Sequence, residues 1–278
     1  MMNIEEIINH TLIEDIGEGD HTTLSTVPAV AVKNVRMISK QAGILCGTEV
    51  VEKVFKTVHP DLVIDILRHD GEAIVPGDII LRVSGNAQAI LTGERTALNF
   101  IQRMSGIATK THFLVKKVEG TKAKLLDTRK TTPLLRELEK YAVRCGGGDN
   151  HRFGLFDMML IKDNHVDFAG GIKEAILSAN DYLATHEKPL QIEIEVRNFD
   201  ELRETLQTGH IHRIMLDNFT PEQIRTALSI IDGKYPVEAS GGITEENIRQ
   251  YAETGVDYIS VGALTHHIKS LDISLLAE

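Results

Sequence analysis

The sequence predicts an α/β protein in which an N-terminal α+β domain is followed by a (β/α) barrel. From about Ala123 onward, short runs rich in Leu, Ile and Val recur with helical signals between them. This alternation is typical of parallel strands joined by helices. Residues 1 to about 90 differ, because their β-rich stretches are interrupted by Gly and Pro.

The composition is that of an ordinary globular protein, with 42% hydrophobic and 25% charged residues among 278. A net charge of −10 argues against a surface for nucleic acid or anionic membranes, so any anion site must be local. The two cysteines are about a hundred residues apart, which indicates neither a disulfide framework nor a metal cluster. With an acidic N-terminus and no apolar run long enough to span a bilayer, the sequence predicts a cytoplasmic protein.

The N-terminal domain is predicted to begin with a helix at NIEEIINHTL. Strands are then expected in VKNVRMISKQAGILCG, DLVIDILRHDGEAIVPGDIILRVSG and QAILTG. A long helix over 93–118 joins this domain to the next, because its apolar residues lie near helical spacing. We expect the domains to cover residues 1–110 and 111–278, with a C-terminal tail that could pack on the N-terminal domain.

Six barrel strands are predicted, and they lie in AKLLDTR, MMLIKDNH, LQIEIEV, RIMLDNF, VEASGGI and YISVGAL. Helices should begin at Thr132-Pro133, at the capping box of Thr220 to Gln223, and at Thr244. Polar residues end nearly every strand, which favours a barrel with its site on that face over a doubly wound sheet. Six strands in about 140 residues indicate a short barrel or a missed strand.

Positive charge is concentrated between Thr121 and His165, where nine Lys and Arg face six Asp and Glu. Arg129 and Lys130 follow one predicted strand and Lys162 ends the next, so the barrel places them on one rim. Arg forks and Lys charges together suit a ligand with several negative groups. The alternative is a set of solvated surface charges.

Carboxylates and glycines end the later strands. Glu195 and Asp217 could hold sugar hydroxyls or Mg²⁺, or could only neutralise the basic rim; Glu193 points the same way as Glu195. The Ser240-Gly241-Gly242 turn and Gly262 expose backbone N–H groups that suit a phosphate, although a tight turn alone would also need glycine.

The stretch RCGGGDNHR (144–152) contains three consecutive glycines, but no strand leads into them and no Lys-Ser or Lys-Thr follows, so it is not a P-loop. The glycines are predicted to end a helix. His151 and Arg152 then follow as donors to an anion.

Longer motifs add a family resemblance. In order, they are TGERTALNFIQRMSGIAT, DTRKTTPLLRELEKYAVRCGGGDNHRFGLFDMMLIKDNH, EIEV, MLDN, ASGGI and GVDYISVGALTH, preceded by EDIGEGDHTT. Over essentially its whole length the chain resembles the quinolinate phosphoribosyltransferases. The resemblance implies that quinolinate and phosphoribosyl pyrophosphate react with Mg²⁺ to give nicotinate mononucleotide, pyrophosphate and CO₂. It also implies an incomplete, seven-stranded barrel and a homodimer in which Arg95 enters the partner subunit's site.

The same resemblance implies roles for individual residues. Quinolinate would meet Arg129, His151, Arg152 and Lys162; Lys130 would meet pyrophosphate; Glu195 and Asp217 would meet the ribose and Mg²⁺. The 5′-phosphate would lie at Ser240, Gly241, Gly242 and Gly262, and the catalytic set would be Lys130, Lys162, Glu195 and Asp217. Three alternatives remain open: the family's molybdenum-associated paralogue, an aldolase with Lys162 or Lys130 as a Schiff-base lysine, and a sugar-phosphate sensor.

Overall fold

The computed structural model describes residues 3–278, and its elements fall into two compact units. Through the long helix the elements are α1 (Ile4–Ile16), α2 (His21–Thr26), β1 (Val32–Ser39), β2 (Gly43–Ile44), α3 (Thr48–Val58), β3 (Val63–Ile66), β4 (Ala73–Ile74), β5 (Ile79–Asn86) and α4 (Ala87–Val118). Then come β6 (Lys124–Leu126), α5 (Arg136–Cys145), β7 (Met159–Ile161), α6 (Asp163–Ala169), α7 (Ile172–Thr185), β8 (Ile192–Val196), α8 (Phe199–Thr208), β9 (Arg213–Asp217), α9 (Pro221–Ile231), β10 (Val237–Ser240), α10 (Ile248–Ala252), β11 (Tyr258–Ser260), α11 (Ala263–His266) and β12 (Ile273–Ala277).

The first unit combines the described residues up to His112 with 131–147 and 267–278. Its main sheet is antiparallel with strand order β12-β1-β5-β3, so the C-terminal strand pairs with the first strand of the chain. Both later segments lie beyond the domain boundary that the sequence predicts at residue 110. The unit's buried core includes Met37 of β1, Phe55 of α3 and Leu81 of β5.

The long helix α4 begins earlier than the sequence predicted. QAILTG was expected to be a strand, and this was wrong, because the whole stretch lies in α4. Asn86 explains the start: its side-chain oxygen accepts the Ala89 backbone N–H at 2.9 Å, as an N-cap residue does. Ile90 and Ile101 are buried on the same helix, which holds it in the core.

Helix α5 starts at Arg136, so the predicted start at Thr132-Pro133 was wrong. Leu134 has a φ of 68°, which no helix residue adopts, and the chain turns before the helix begins. Thr132 has other partners: its N–H donates to Glu139 Oε2 at 3.1 Å, and its hydroxyl accepts from Arg103 at 2.7 Å. The helix ends at Cys145, as predicted, and Gly147 follows with a φ of 89°.

Gly146 has a packing reason as well. Its Cα lies against Ala108 and Thr111 of α4, where an added Cβ would clash with the Ala108 carbonyl oxygen. The glycine run therefore ends a helix and permits a close approach of two helices.

The second unit contains residues 113–130 and 148–266 and is the barrel. All six predicted strands are present, in a parallel sheet of order β6-β11-β10-β9-β8-β7. The first of these strands therefore pairs with the last, as in a barrel and unlike a doubly wound sheet. Between β6 and β7, where a seventh strand would close the barrel, a single bridge joins Leu126 and Asp149.

Helix starts in the barrel agree with the sequence in one case and differ in another. α9 has the predicted capping box between Thr220 and Gln223. α10 begins at Ile248, so a start at Thr244 was wrong: Asn247 Oδ1 accepts the Thr244 N–H at 2.7 Å and makes the preceding residues a turn.

Candidate active site

A cavity of about 190 Å³ opens at the carboxyl ends of the barrel strands and reaches into the barrel. Six of the predicted site residues line it: Arg129, Lys130, His151, Arg152, Lys162 and Ser240. Its other lining residues are Thr128, Leu160, Met215, Glu238 and Ser260. The cavity thus has a mostly cationic rim and a floor of in-strand side chains, which is the usual place for a barrel active site.

Arg129 and Arg152 lie close enough for their charges to oppose each other. Burial first, and Arg129 second, lower the pKa of Arg152 below its ordinary value. The guanidinium of Arg152 is held by the Met158 carbonyl oxygen, which accepts from Nη1 at 3.2 Å. Two guanidinium groups brought together in a half-buried cavity are stabilised by an anion, and a carboxylate fits their planar forks.

Lys162 follows β7 and pairs with a carboxylate of the next strand. Its Nζ lies 3.0 Å from Glu195 Oε2, and the Glu195 side chain is buried. The Lys162 backbone N–H donates to His165 Nδ1 at 2.9 Å, which fixes the chain where α6 begins. A Schiff-base lysine needs an apolar setting, so this ion pair argues against the aldolase alternative.

His151 is oriented by its backbone and both ring nitrogens. The His151 N–H donates to Asp127 at 2.9 Å, and its Nδ1 accepts the Arg152 N–H at 2.7 Å. Its Nε2 lies 3.0 Å from a carboxylate oxygen of Glu193 and 3.5 Å from one of Glu238. Both ring nitrogens therefore have protein neighbours, and His151 also lines the cavity.

Glu193 and Glu238, with His151 and Arg213, form what we call the inner cluster. Burial raises the pKa of Glu193 to about 7; burial and then the neighbouring Glu193 raise that of Glu238 to about 8. Arg213 lies 3.2 Å from Glu238 and partly offsets both shifts. Two buried carboxyl groups side by side hold a proton between them more readily than two charges.

The inner cluster was largely missed from the sequence. In the sequence Glu238 and Arg213 look like ordinary strand residues, and Asp127, which lies outside the cluster but accepts the His151 N–H, contributes only to the local charge. The available signal was the presence of glutamates inside two otherwise mostly apolar strands, IEIEV and VEAS, because an acid in a buried strand needs a partner.

Lys130 reaches the cavity across a glycine. An added Cβ on Gly262 would lie 3.1 Å from Lys130 Cδ and 2.8 Å from His266 Nε2. Thr265 Oγ1 donates to the Lys130 carbonyl oxygen at 2.7 Å and holds the backbone of this residue in place. Gly262 therefore makes room for the lysine side chain, which the phosphate interpretation of this glycine did not include.

Asp217 and Gly241 belong to two adjoining strand ends. Asn218, with a φ of 57°, donates its N–H to the Ser240 carbonyl oxygen at 2.8 Å. Gly241, with a φ of 88°, lies against Asn218, and a Cβ there would clash; Gly242 faces open space. Burial raises the pKa of Asp217, against the opposing effects of Asn218 and Lys162.

The remaining predicted residues lie outside the lining of the cavity. Glu195 and Asp217 flank it, and Gly241, Gly242 and Gly262 shape its neighbouring turns. Arg95 is in α4 of the first unit.

Within the described chain, no helix combines the length and the apolar character that crossing a membrane requires.

Comparisons with known proteins agree in both halves of the chain. The family "Quinolinate phosphoribosyl transferase, N-terminal domain" matches residues 20–105, and its C-terminal counterpart matches residues 107–276. A Bacillus subtilis relative named "Probable nicotinate-nucleotide pyrophosphorylase [carboxylating]" is 42% identical, over 99% of this chain and 93% of its own. An Arabidopsis thaliana relative of the same activity name, a chloroplastic protein, is 40% identical over 98% and 82%.

Solved structures of similar proteins have the same fold as this chain. The nicotinate-nucleotide pyrophosphorylase from Francisella tularensis has a TM-score of 0.93 and 42% identity, covering 99% of this chain and 96% of its own. That of Ehrlichia chaffeensis has a TM-score of 0.92 and 38% identity, covering 99% of each chain. The fold is therefore shared along essentially the whole length of the chain.

Proposed function

The chain belongs to the quinolinate phosphoribosyltransferase family, and we propose that its barrel cavity binds quinolinate while the surrounding strand ends bind phosphoribosyl pyrophosphate. The family reaction moves the phosphoribosyl group onto the ring nitrogen of quinolinate with loss of CO₂, a step of de novo NAD biosynthesis. This is the activity of the chain. We propose the following roles for individual residues in this reaction.

The observation that supports this placement most directly is the pair of guanidinium groups in one cavity. Quinolinate has two adjacent carboxylates, and Arg129 and Arg152 offer two planar forks within one enclosed space. Lys162 adds a third cation on the rim. His151 acts by holding the Arg152 backbone, since its Nδ1 accepts that N–H.

Phosphoribosyl pyrophosphate would lie over the other strand ends. Lys130 is available to pyrophosphate, and the turns at Ser240-Gly241-Gly242 and Gly262 offer backbone N–H groups to the 5′-phosphate. Glu195 and Asp217 would bind the ribose hydroxyls, because they end neighbouring strands on the same face.

The carboxylate of Asp217 also fits Mg²⁺. It is a hard oxygen ligand, and because burial raises its pKa, a cation bound beside it would favour the ionised form. Glu195 already pairs with Lys162, so we propose that Asp217 contributes most and that the substrate's phosphates supply the remaining oxygen ligands. Bound there, Mg²⁺ would offset the negative charge of pyrophosphate.

The protein's contribution to the chemistry is electrostatic. Departure of pyrophosphate leaves positive charge on the ribose, next to Glu195 and Asp217, while Lys130 stabilises the leaving group. Loss of CO₂ leaves a carbanion beside the now-cationic ring nitrogen, which stabilises it. Lys162 and the two arginines position the carboxylates for that step.

One assay tests the proposal as a whole. With quinolinate labelled in its 2-carboxylate, phosphoribosyl pyrophosphate and Mg²⁺, the purified protein should release labelled CO₂ and pyrophosphate in equal amounts. Nicotinate in place of quinolinate should give no pyrophosphate, which separates this activity from that of a paralogue. Tight binding of both substrates without turnover would instead indicate a sugar-phosphate sensor.

We further propose a homodimer in which Arg95 of each subunit reaches the partner's cavity. The support is that Arg95 lies in the GERTALN motif but is absent from the lining of its own chain's cavity. Inactive Arg95→Ala and Lys162→Ala proteins, mixed in equal amounts and allowed to exchange, should recover about a quarter of wild-type activity, since half of the dimers then carry one intact site. No recovery after exchange is verified would contradict a shared site.

We propose a cytoplasmic location because both cysteines are free thiols. Cys46 and Cys145 are both thiols, as is usual in a reducing compartment.

A further inference from the structure

The two cysteines of the chain, about a hundred residues apart in sequence, meet in the first unit. Cys46 lies two residues before the start of α3, and Cys145 is the last residue of α5. Their sulfur atoms and a carboxylate oxygen of Asp70 all lie within 4.8 Å of one another. Tyr141, one turn before Cys145, donates its hydroxyl to Asp70 at 3.0 Å.

The two thiols are unequal. Cys46 is fully buried, and Ser105 holds its backbone on both sides, accepting from its N–H at 2.9 Å and donating to its carbonyl at 3.1 Å. Cys145 is partly exposed. A partly exposed sulfur that a reagent can reach, next to a buried one that it cannot, is the arrangement of an attacking and a resolving thiol.

The pKa values of the two thiols also shift in opposite directions. The hydrogen bond between the thiols, then burial, raises the pKa of Cys46. The same hydrogen bond lowers the pKa of Cys145, burial opposes this shift, and the Arg144 charge acts in the lowering direction. Cys145 is therefore the better nucleophile of the two.

We propose that Cys145 and Cys46 form a reversible oxidation site, in which a hydroperoxide such as hydrogen peroxide converts the dithiol to an intramolecular disulfide. In the first step the Cys145 thiolate attacks one peroxide oxygen: an S–O bond forms, the O–O bond breaks, and hydroxide leaves and takes a proton to become water. In the second step Cys46 attacks the Cys145 sulfur: the S–S bond forms, the S–O bond breaks, and the hydroxide leaves as water with the Cys46 proton. The dithiol loses two electrons and the peroxide becomes two waters.

Cys46, Asp70 and Cys145 could also be the ligands of a metal ion such as Zn²⁺. The hydrogen bonds of Asp70 argue against a metal site. Its Oδ1 accepts the N–H and the hydroxyl of Thr48, and its Oδ2 accepts the Gly47 N–H and the Tyr141 hydroxyl. With these four hydrogen bonds the carboxylate is committed to capping α3 and holding Tyr141. A metal would also have to remove the proton of the buried Cys46 thiol.

A disulfide here would constrain the chain that follows α5. Gly146 and Gly147 come next after Cys145, and the segment then continues to His151 and Arg152. The Cys46–Cys145 disulfide would link the end of α5 to the residues just before α3 and close a loop of about a hundred residues.

The test is intact-mass analysis with thiol counting under denaturing conditions, after treating the full-length protein with a small excess of hydrogen peroxide. The wild type should lose about 2 Da and both thiols together, and dithiothreitol should restore them. Cys46→Ser should stop at a sulfenic acid on Cys145, trapped by dimedone, and Cys145→Ser should leave Cys46 largely unreacted. Cys46→Ala repeats the first variant in case serine in the buried position prevents folding.

A second readout tests the unequal thiols. At neutral pH, iodoacetamide should alkylate Cys145 of the native protein at least about tenfold faster than the buried Cys46. Oxidation of Cys145 to sulfinic acid while Cys46 stays reduced would overturn the proposal. So would one equivalent of Zn²⁺ that copurifies and protects both thiols until a chelator removes it.

Discussion

Strand β8 carries two glutamates on the same side, two residues apart, and they meet different partners. Glu195, at the rim, forms an ion pair with Lys162 at 3.0 Å. Glu193, further inside the barrel, faces His151 and the second carboxyl group of Glu238. Alternation along one strand therefore supplies a charged group at the rim and a protonatable group within the barrel.

The difference teaches how depth in the barrel determines chemistry. At the rim, the cations of several strands surround the carboxylates, so these side chains are suited to act on charged substrates. Inside, burial dominates, and it raises the pKa of both Glu193 and Glu238 despite the nearby Arg213. We expect changes at the rim to appear in catalysis and changes in the inner cluster to appear in the pH dependence of stability.

The largest effect is expected for Lys162→Met, which keeps most of the side-chain volume but removes the rim charge. Glu195 then loses its partner and quinolinate loses a cation, so kcat/KM should fall by about 10² to 10³-fold, as when one preorganised donor is removed. The melting temperature should fall modestly, because the Lys162 side chain is 45% exposed but the buried Glu195 carboxylate loses its partner. Steady-state kinetics and thermal unfolding measure the two. Lys173→Met, an exposed lysine on α7, is the matched control, and a loss under tenfold for Lys162→Met would contradict its proposed role.

The inner cluster should respond to pH instead. In the unfolded chain Glu193 and Glu238 titrate near the ordinary value of 4.5; in the folded protein their pKa values are about 7 and about 8. Between these values the folded state holds protons that the unfolded state has lost. The contribution of these two glutamates to the free energy of unfolding is therefore largest below about pH 4.5 and is lost as pH rises through 7 and 8.

Glu238→Gln removes one of these titrations. The variant should lose a large part of the fall in stability between pH 5 and 9, on the order of 3 kcal/mol, so that it exceeds the wild type at pH 9. Denaturant unfolding at several pH values measures this. Glu222→Gln, exposed on α9, should follow the wild-type curve. If Glu238→Gln did so too, the glutamate would be ionised in the folded protein throughout this range.

The barrel could be predicted from the sequence because its information is local. Each of the six strands is a short apolar run ending in polar residues, and the Thr220 box caps α9 as its spacing indicates. The start of α5 could not, because it depends on a contact from Thr132 to Glu139 and on a positive φ at Leu134. The strand expected at QAILTG failed because so short an apolar run suits a strand or a helix equally.

The candidate site divides in the same way. The rim residues were found because each ends a predicted strand, and parallel strands bring such ends together. The inner cluster depends on which strands are neighbours and on how deeply a side chain lies. Glu238 of β10 and Arg213 of β9 become partners only when these strands pair, so their meeting is a property of the fold rather than of either motif.

The smallest expected effect is at the rim again, where Gly262→Ala alters no charge. A Cβ at this position would lie 2.8 Å from His266 Nε2 and 3.1 Å from Lys130 Cδ, so the histidine has to shift and the lysine has to give way by a few tenths of an ångström. Overpacking of this kind costs about 1 kcal/mol, and we expect KM for phosphoribosyl pyrophosphate to rise about fivefold while KM for quinolinate stays the same.

Gly242→Ala tests whether these glycines make room for Lys130 or supply backbone N–H groups to a phosphate. It meets open space but has a φ of 62°, so it should lower stability through the backbone without displacing Lys130. If both variants raised KM for phosphoribosyl pyrophosphate equally, the glycines would act through the backbone N–H groups that bind phosphate, and the room made for Lys130 would matter less.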